Sequence, residues 1–473
     1  MALTRCIILA CLVVFVLLLQ GNVHADTNIA SAGWAEVEIT PPLGIALGGR
    51  GGNYTLASHV IDPLHAQVLY LKDGKGTGFV LVSMDLIGLP HSLSDQLRQS
   101  LVHELGVNWN LVLLNFSHTH SGPNMLRELM AGVGPAPEVE VHYFEFLREK
   151  VLSAARVAKK NLVPVSKVEI FEGHSHVAIN RRGRNKQGNI SILPNPRGPI
   201  DDKLWIMRIS PVGNRPEALV FSYACHPVIV YGYAFAAISA DFPGIARKII
   251  REKNAKIGHV QFVQGLAGNV RPRAVADLEQ MTFRGASPEK LTQAGTDLAN
   301  DVLAALTNKC DVLKLDFAGA SDRPFMARGN PPSREVYEKM KADEKNPNTR
   351  SVGEFWLKRY DSGEGFAKGE AWPVGLVRLD QNHFIAYLAG EPVVEWRGKI
   401  TDWLAPRKIV TFGYSQEAST YLPTEELLAE GGYEVLESNR ARMSSPAPFA
   451  SGIHESMRQS FLRQLAFIEA PVE

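Results

Sequence analysis

What most constrains this chain is a repeated pattern: short, almost wholly apolar runs of strand length, separated by amphipathic segments at helical spacing. Such runs stand at Gly78–Met84, Leu111–Phe116, Leu204–Ile209, Ala218–Tyr223, His259–Gln264 and His383–Leu388, with further strand-like stretches at Ala35–Thr40, His65–Leu71, Lys167–Phe171 and Lys408–Phe412. A strand with no polar face is one covered on both sides. Between the runs, Glu138–Lys160 carries Tyr143, Leu147, Val151, Ala154 and Ala158 at steps of three or four, a single apolar stripe. Ser94–Leu105, Pro243–Lys253, Pro288–Leu306 and Val394–Leu404 read as helices on the same grounds. Alternation of this kind predicts an α/β fold, mixed β-sheets flanked by helices, in one large domain. Arg181–Pro199 and Ala320–Glu354 are polar and interrupted by Gly and Pro, so they read as loops or lids.

The N-terminus predicts export. Arg5 precedes fourteen apolar residues, Cys6–Leu19, and Val23-His24-Ala25 supplies small residues three and one positions before Asp26. A basic start, a short apolar stretch and that ending make residues 1–25 a secretory signal peptide, and fourteen residues fall short of the roughly 20 a spanning helix needs. The expected location is secreted or otherwise extracytoplasmic, with no spanning segment afterwards. The chain holds 50 Lys and Arg against 49 Asp and Glu, and the leader removes one Arg and no acid. A formally neutral protein has little charge with which to bind nucleic acid or an anionic membrane, so neither is an expected partner. Cys225 and Cys310 are the two cysteines outside the leader, too few for a disulfide scaffold. Cys225 reads as a small buried residue at a strand end.

Three of the apolar runs end in groups that bind metals. Leu111–Phe116 leads into Ser117-His118-Thr119-His120-Ser121-Gly122-Pro123, and histidines two apart in extended chain would face one pocket. Ala218–Cys225 ends in His226-Pro227, and Phe384–Gly390 ends in Glu391-Pro392. Two histidines and a carboxylate form a zinc ligand set that leaves a position open for water. A fourth strand end, Gly265-Leu-Ala-Gly268-Asn269-Val270-Arg271-Pro272-Arg273, has glycines that let a ligand approach the backbone. Asp85, also at a strand end, is expected to orient a ligand histidine, and His174 and His176, another pair two apart, are expected to be peripheral.

These residues resemble the catalytic domain of the neutral/alkaline, non-lysosomal ceramidases, zinc amidohydrolases that cleave the N-acyl bond of ceramide. The likeness runs from Ala35-Glu-Val-Glu-Ile-Thr-Pro-Pro42 through Ser83-Met-Asp85 and Ser117–Pro123 to Gly413–Glu434, with His-Thr-His-Ser-Gly-Pro its most specific piece. It implies a zinc hydrolase domain over residues 26–473, with Zn2+ on His118, His226 and Glu391. It further implies a tyrosine ligand, for which Tyr421 is the best fit and Tyr414 the runner-up. It places His120 in the site as acid/base and Arg181 beside the substrate carbonyl.

Two departures from that family stand out. Its active-site serine falls on Arg271, which makes a metal-activated water the expected nucleophile, and Arg271 itself joins the expected active site, where with Arg273 it would suit an anionic or strongly polar substrate. The usual C-terminal immunoglobulin-like domain has no counterpart before Glu473. The predicted function is therefore a secreted, zinc-dependent hydrolase of an amide or ester, acting on a lipid or small-molecule amide. The alternatives are a non-catalytic secreted binding protein that keeps the pocket, and a zinc hydrolase of a polar non-lipid substrate.

Overall fold

The computed structural model describes residues 29–50 and 55–470; the expected signal peptide lies outside the described residues. Its centre is a large mixed sheet in the order Ile257–Gln264, Glu217–Tyr223, Lys203–Pro211, Val163–His174, Ser31–Glu38, His65–Lys72, Gly78–Met84, Val112–Phe116, with Cys310–Val312 branching from Val163–His174. The pair at each end is parallel and the pairs between are antiparallel. A second sheet, in the order Ala318–Asp322, Val374–Arg378, His383–Leu388, Lys408–Phe412, lies against it.

Side-chain alternation explains why the runs are apolar throughout. Val68, Val80, Val82, Val112 and Leu114 join a core roofed by helices His91–Leu105, Glu138–Lys160, Asp241–Lys253 and Pro288–Ala305. Their neighbours Leu69, Phe79, Leu81 and Leu113 face the other way and meet Val377, Ile385, Tyr387 and Phe412 of the second sheet. The outer face of that sheet, with Leu376, Phe384 and Leu388, packs under helices Trp396–Leu404 and Ile453–Glu469. The layers thus run helix, sheet, sheet, helix, which is the mixed α/β architecture that the sequence predicts. The five stripe residues of Glu138–Lys160 are all buried, and Glu138 and Lys160 sit at the ends where the helix dipole favours them.

The two expected loops are regular structure. Residues 178–195 form a hairpin, Ala178–Arg184 against Ile190–Asn195, whose Arg181 and Arg182 are buried because they are paired. Residues 334–362 hold two helices, Arg334–Lys341 and Pro347–Ser362, around a small core of Tyr337, Val352, Trp356 and Leu357. Asn346, whose side chain caps the second helix ahead of Pro347, is the start signal that the polar composition hid. Among the described residues no helix is long and apolar enough to cross a membrane.

Candidate metal centre

The large sheet curls until its two edge strands meet, and that closure builds the site. Asn115 on one edge and Gln264 on the other exchange hydrogen bonds: Gln264 N donates to Asn115 Oδ1 at 2.8 Å, and Asn115 Nδ2 donates to Gln264 O at 3.3 Å. The Gln264 carboxamide then joins the two histidine-bearing exits, donating to Ser117 O and to Cys225 O, each at 2.9 Å, while Cys225 N donates to Oε1 at 3.3 Å. His118 and His226 emerge one residue beyond these contacts. The second sheet docks at the same point, since Phe116 N donates to Tyr414 O and Asn115 Nδ2 to Gly413 O. Glu391 and Tyr421 are direct partners in a short parallel bridge.

The His-Thr-His pair meets, though not by strand periodicity. The strand ends at Phe116, and His118 takes a left-handed backbone, φ 64°. That turn, rather than an extended i, i+2 geometry, sets the His118 and His120 ring centroids 5.0 Å apart. Tyr414, whose ring centroid is 4.4 Å from that of His118, is also left-handed at φ 48°. Such conformations cost about 1–3 kcal/mol each and gather at functional sites.

Each histidine is anchored through Nδ1 to a backbone carbonyl: His118 to Ile87 O at 2.8 Å, His120 to Gly49 O at 3.1 Å, and His226 to Ala267 O at 2.7 Å. A carbonyl only accepts, so Nδ1 carries the proton and each Nε2 presents a lone pair. The Nε2 atoms of His118 and His120 are buried and lack a hydrogen-bond partner. Oε2 of Glu391 lies 3.3 Å from His118 Nε2 and 3.2 Å from His226 Nε2. Burial, then Arg181, lowers the His226 imidazole to about 3, while His118 and His226 outweigh burial to hold Glu391 well below the usual carboxylate range.

Two nitrogen lone pairs against a carboxylate oxygen repel unless a cation lies among them. Ligands at about 2.0–2.1 Å around a tetrahedral metal stand about 3.3–3.4 Å apart, close to these separations. The three histidines also bring one nitrogen each within 4.8 Å of the others, a buried group able to hold a metal ion. The Tyr421 hydroxyl is 3.5 Å from His226 Nε2, with its ring parallel to that imidazole. The Tyr414 hydroxyl is buried without a hydrogen-bond partner.

Arg181 lies alongside, its guanidinium over Tyr421 and its Nε donating to Glu434 at 2.9 Å, with Nη2 left unpartnered. Glu434 also receives Arg182 at 2.7 Å, so one buried carboxylate holds two buried arginines. Arg271 is partly exposed over Phe283 and Arg273 is exposed. Asp85 does not orient a histidine. It is engaged by both terminal nitrogens of Arg247, at 2.8 and 2.6 Å, and by His65 N, so backbone carbonyls take the orienting role instead. His174 and His176 are exposed, His174 pairing with Asp202. Cys225 is a buried thiol pushed well up by burial, and it and Cys310 are unbonded. Sequence reasoning missed Asn115, Gln264, Glu434, Gly49 and Arg50; a polar residue inside an apolar run was the available signal for the first two.

No protein-family model matches the sequence. Among solved structures, the chain is similar to a ceramidase complexed with C2, with a TM-score of 0.68 and 14% identity over 94% of this chain and 77% of the other. It is equally similar to the neutral ceramidase of Pseudomonas aeruginosa, with a TM-score of 0.68 and 16% identity over 94% of this chain and 75% of that one. The chain therefore has the fold of the neutral ceramidases.

Proposed function

We propose that residues 26–473 form one exported, zinc-dependent amidohydrolase domain, with residues 1–25 as its leader. The observation that carries this reading is the convergence of the two Nε2 lone pairs of His118 and His226 on Glu391 Oε2, each imidazole locked from behind by a carbonyl. The fold it shares with ceramidases makes an N-acyl bond, with a lipid acyl chain, the natural target.

His118, His226, Glu391 and Tyr421 would hold the metal. When bound, zinc supplies Lewis acidity toward water and the acyl carbonyl. The chain's own residues do the rest. Arg181, immobilised by Glu434, turns its free Nη2 to the acyl oxygen, where one well-placed donor is worth about 3–4 kcal/mol in the transition state. His120 Nε2, buried and unpartnered, takes a proton from the attacking water and delivers it to the departing nitrogen. Water adds across the C–N bond, leaving a carboxylate and an amine. Arg271 occupies the position where the resembled family carries a serine, so no acyl-enzyme forms there.

Metal analysis combined with a panel of amides and esters tests this. The expected result is one zinc per chain with amide turnover, both lost in His118→Ala. Full zinc and full activity in His226→Ala would overturn the ligand assignment. Stoichiometric zinc without turnover of any amide or ester would favour the non-catalytic binding protein.

A further inference from the structure

Buried arginines in this protein keep company with acids. Arg181 and Arg182 share Glu434, Arg247 takes Asp85, and Arg328 takes Glu370. Arg50 breaks the rule, and Arg271, partly exposed, is likewise without an acid. Arg50 is 3% exposed, yet its Nε, Nη1 and Nη2 are all buried with no hydrogen-bond partner among the described residues. Its guanidinium lies between the rings of Tyr231 and Phe235, 5.0 and 4.8 Å from their centroids. Arg271 has a buried, unpartnered Nε and makes no ion pair among the described residues. Leaving a buried cation without a counter-charge is among the most unfavourable arrangements in a folded protein.

The two are parts of one place. Tyr231 sets its ring edge-on to His120, centroids 5.7 Å apart, and carries the Arg50 guanidinium over its face. Arg50 follows Gly49, whose carbonyl anchors His120, and Arg271 in turn acts on His120. Burial pulls both guanidinium groups down to about 10, so both stay cationic at neutral pH. Two buried acids of the site are spent: Glu391 faces His118 and His226, and Glu434 is shared by Arg181 and Arg182.

We propose that the substrate is an amide bearing an oxyanion, carboxylate or sulfonate, on its amine half, and that Arg50, with Arg271, neutralises that group. This rests on the hydrolase reading above, in which His120 faces the departing nitrogen; a charge recognised beside His120 belongs to the amine that leaves. Neutral ceramide lacks such a group, so the pair separates this site from a general lipid amidase.

The test uses the zinc-loaded full chain and three amides of one acyl chain: N-dodecanoylglycine, N-dodecanoyltaurine and the neutral N-dodecanoylethanolamine. A hydrogen bond to a charged group corresponds to about 10- to 100-fold in affinity. We expect kcat/KM for the anionic amides to exceed that for the neutral one by at least about 10-fold, and Arg50→Gln and Arg271→Gln each to erode that ratio about 10-fold, mainly through KM. The glycine and taurine arms tell carboxylate from sulfonate. Calorimetric binding of N-dodecanoylglycine to the metal-free protein, weakened in both variants, reads recognition apart from turnover. Melting curves check folding, and Arg50→Gln should melt no lower than the parent, because losing the Tyr231 and Phe235 ring contacts is offset by removing a buried charge that has no acid. Equal turnover of anionic and neutral amides, or variants that weaken both alike, would overturn the proposal. Hydrolysis of the ethanolamide alone would sink this inference and leave the hydrolase reading intact; arginine-dependent binding without hydrolysis of any amide would do the reverse.

Discussion

Replacing Gln264 with leucine removes a side chain that ties the two histidine-bearing strand exits together. Its carboxamide makes three hydrogen bonds, to Ser117 O, to Cys225 O and from Cys225 N, all in fully buried surroundings. Leucine preserves the bulk and leaves two carbonyls and one N–H short of a partner. At about 1–3 kcal/mol for each orphaned group, less roughly 1 kcal/mol regained by the apolar side chain, the loss is about 2–8 kcal/mol. That is comparable with the 5–15 kcal/mol or so by which a domain is stable. Because the same bonds set where His118 and His226 leave their strands, zinc affinity should fall about 10- to 100-fold as well. Urea unfolding of the metal-free protein and zinc titration against a competing chelator measure the two losses separately. Gln264→Glu is the sharper control. It keeps the shape but sets a carboxylate against two carbonyls, so it should be as unstable as the leucine variant at neutral pH. It should recover in part as acid protonates the carboxyl and restores one donor. If Gln264→Leu stays within about 0.5 kcal/mol of the parent and binds zinc as tightly, the exits are held by something else and the reasoning is refuted.

Glu434→Gln should destabilise the protein by about 3–5 kcal/mol in urea melts, because two buried guanidinium groups lose one shared counter-charge; a change below 1 kcal/mol or so would mean that water reaches them. Gly49→Ala should cut amide turnover sharply while zinc stays bound: the residue is left-handed at φ +70°, and a Cβ there would stand 2.3 Å from Nδ1 of His120, the acid/base, its nearest contacts all lying on that ring and not on the four metal-holding residues. Dialysis against a chelator should lower the melting temperature, and readded zinc at about 1,000 times its dissociation constant should return about 4 kcal/mol. His383 gives a pH signature away from the centre. Burial alone would lower it, but the hydrogen bonds its ring donates to Asp380 and Asp311 outweigh burial and raise it. A group raised on folding adds stability that is complete below its unfolded pKa, near about 6.5, and is lost as pH rises through the folded value. The stability gap between the parent and His383→Asn should therefore shrink as pH rises above about 6.5; a gap that widens would contradict the sign.

The contrast between what was legible and what was not follows from the range of the information. Strands covered on both faces write continuous apolar runs, and a polar residue at the end of such a run is visible in a window of ten, which is why His118, His226 and Glu391 stand out. His118 and His120 are neighbours for a reason that local pattern does not carry: the chain leaves the extended strand in a left-handed turn, fixed by Leu86 O receiving His118 N and Ile87 O receiving His118 Nδ1. The arginines show the limit more plainly. Arg181 reads as a loop residue because its partner, Glu434, is 253 positions away, and Arg50 carries no local signal at all. In a strand window a paired arginine and an unpaired one look alike; only burial and a census of carboxylates separate them. The same census gives the unpaired ones their meaning, since a guanidinium that folding has buried without an acid needs its counter-charge from a ligand. Function is thus carried here by two kinds of residue, those that local pattern reveals because chemistry sits at strand ends, and those that appear only as a deficit in the folded charge balance.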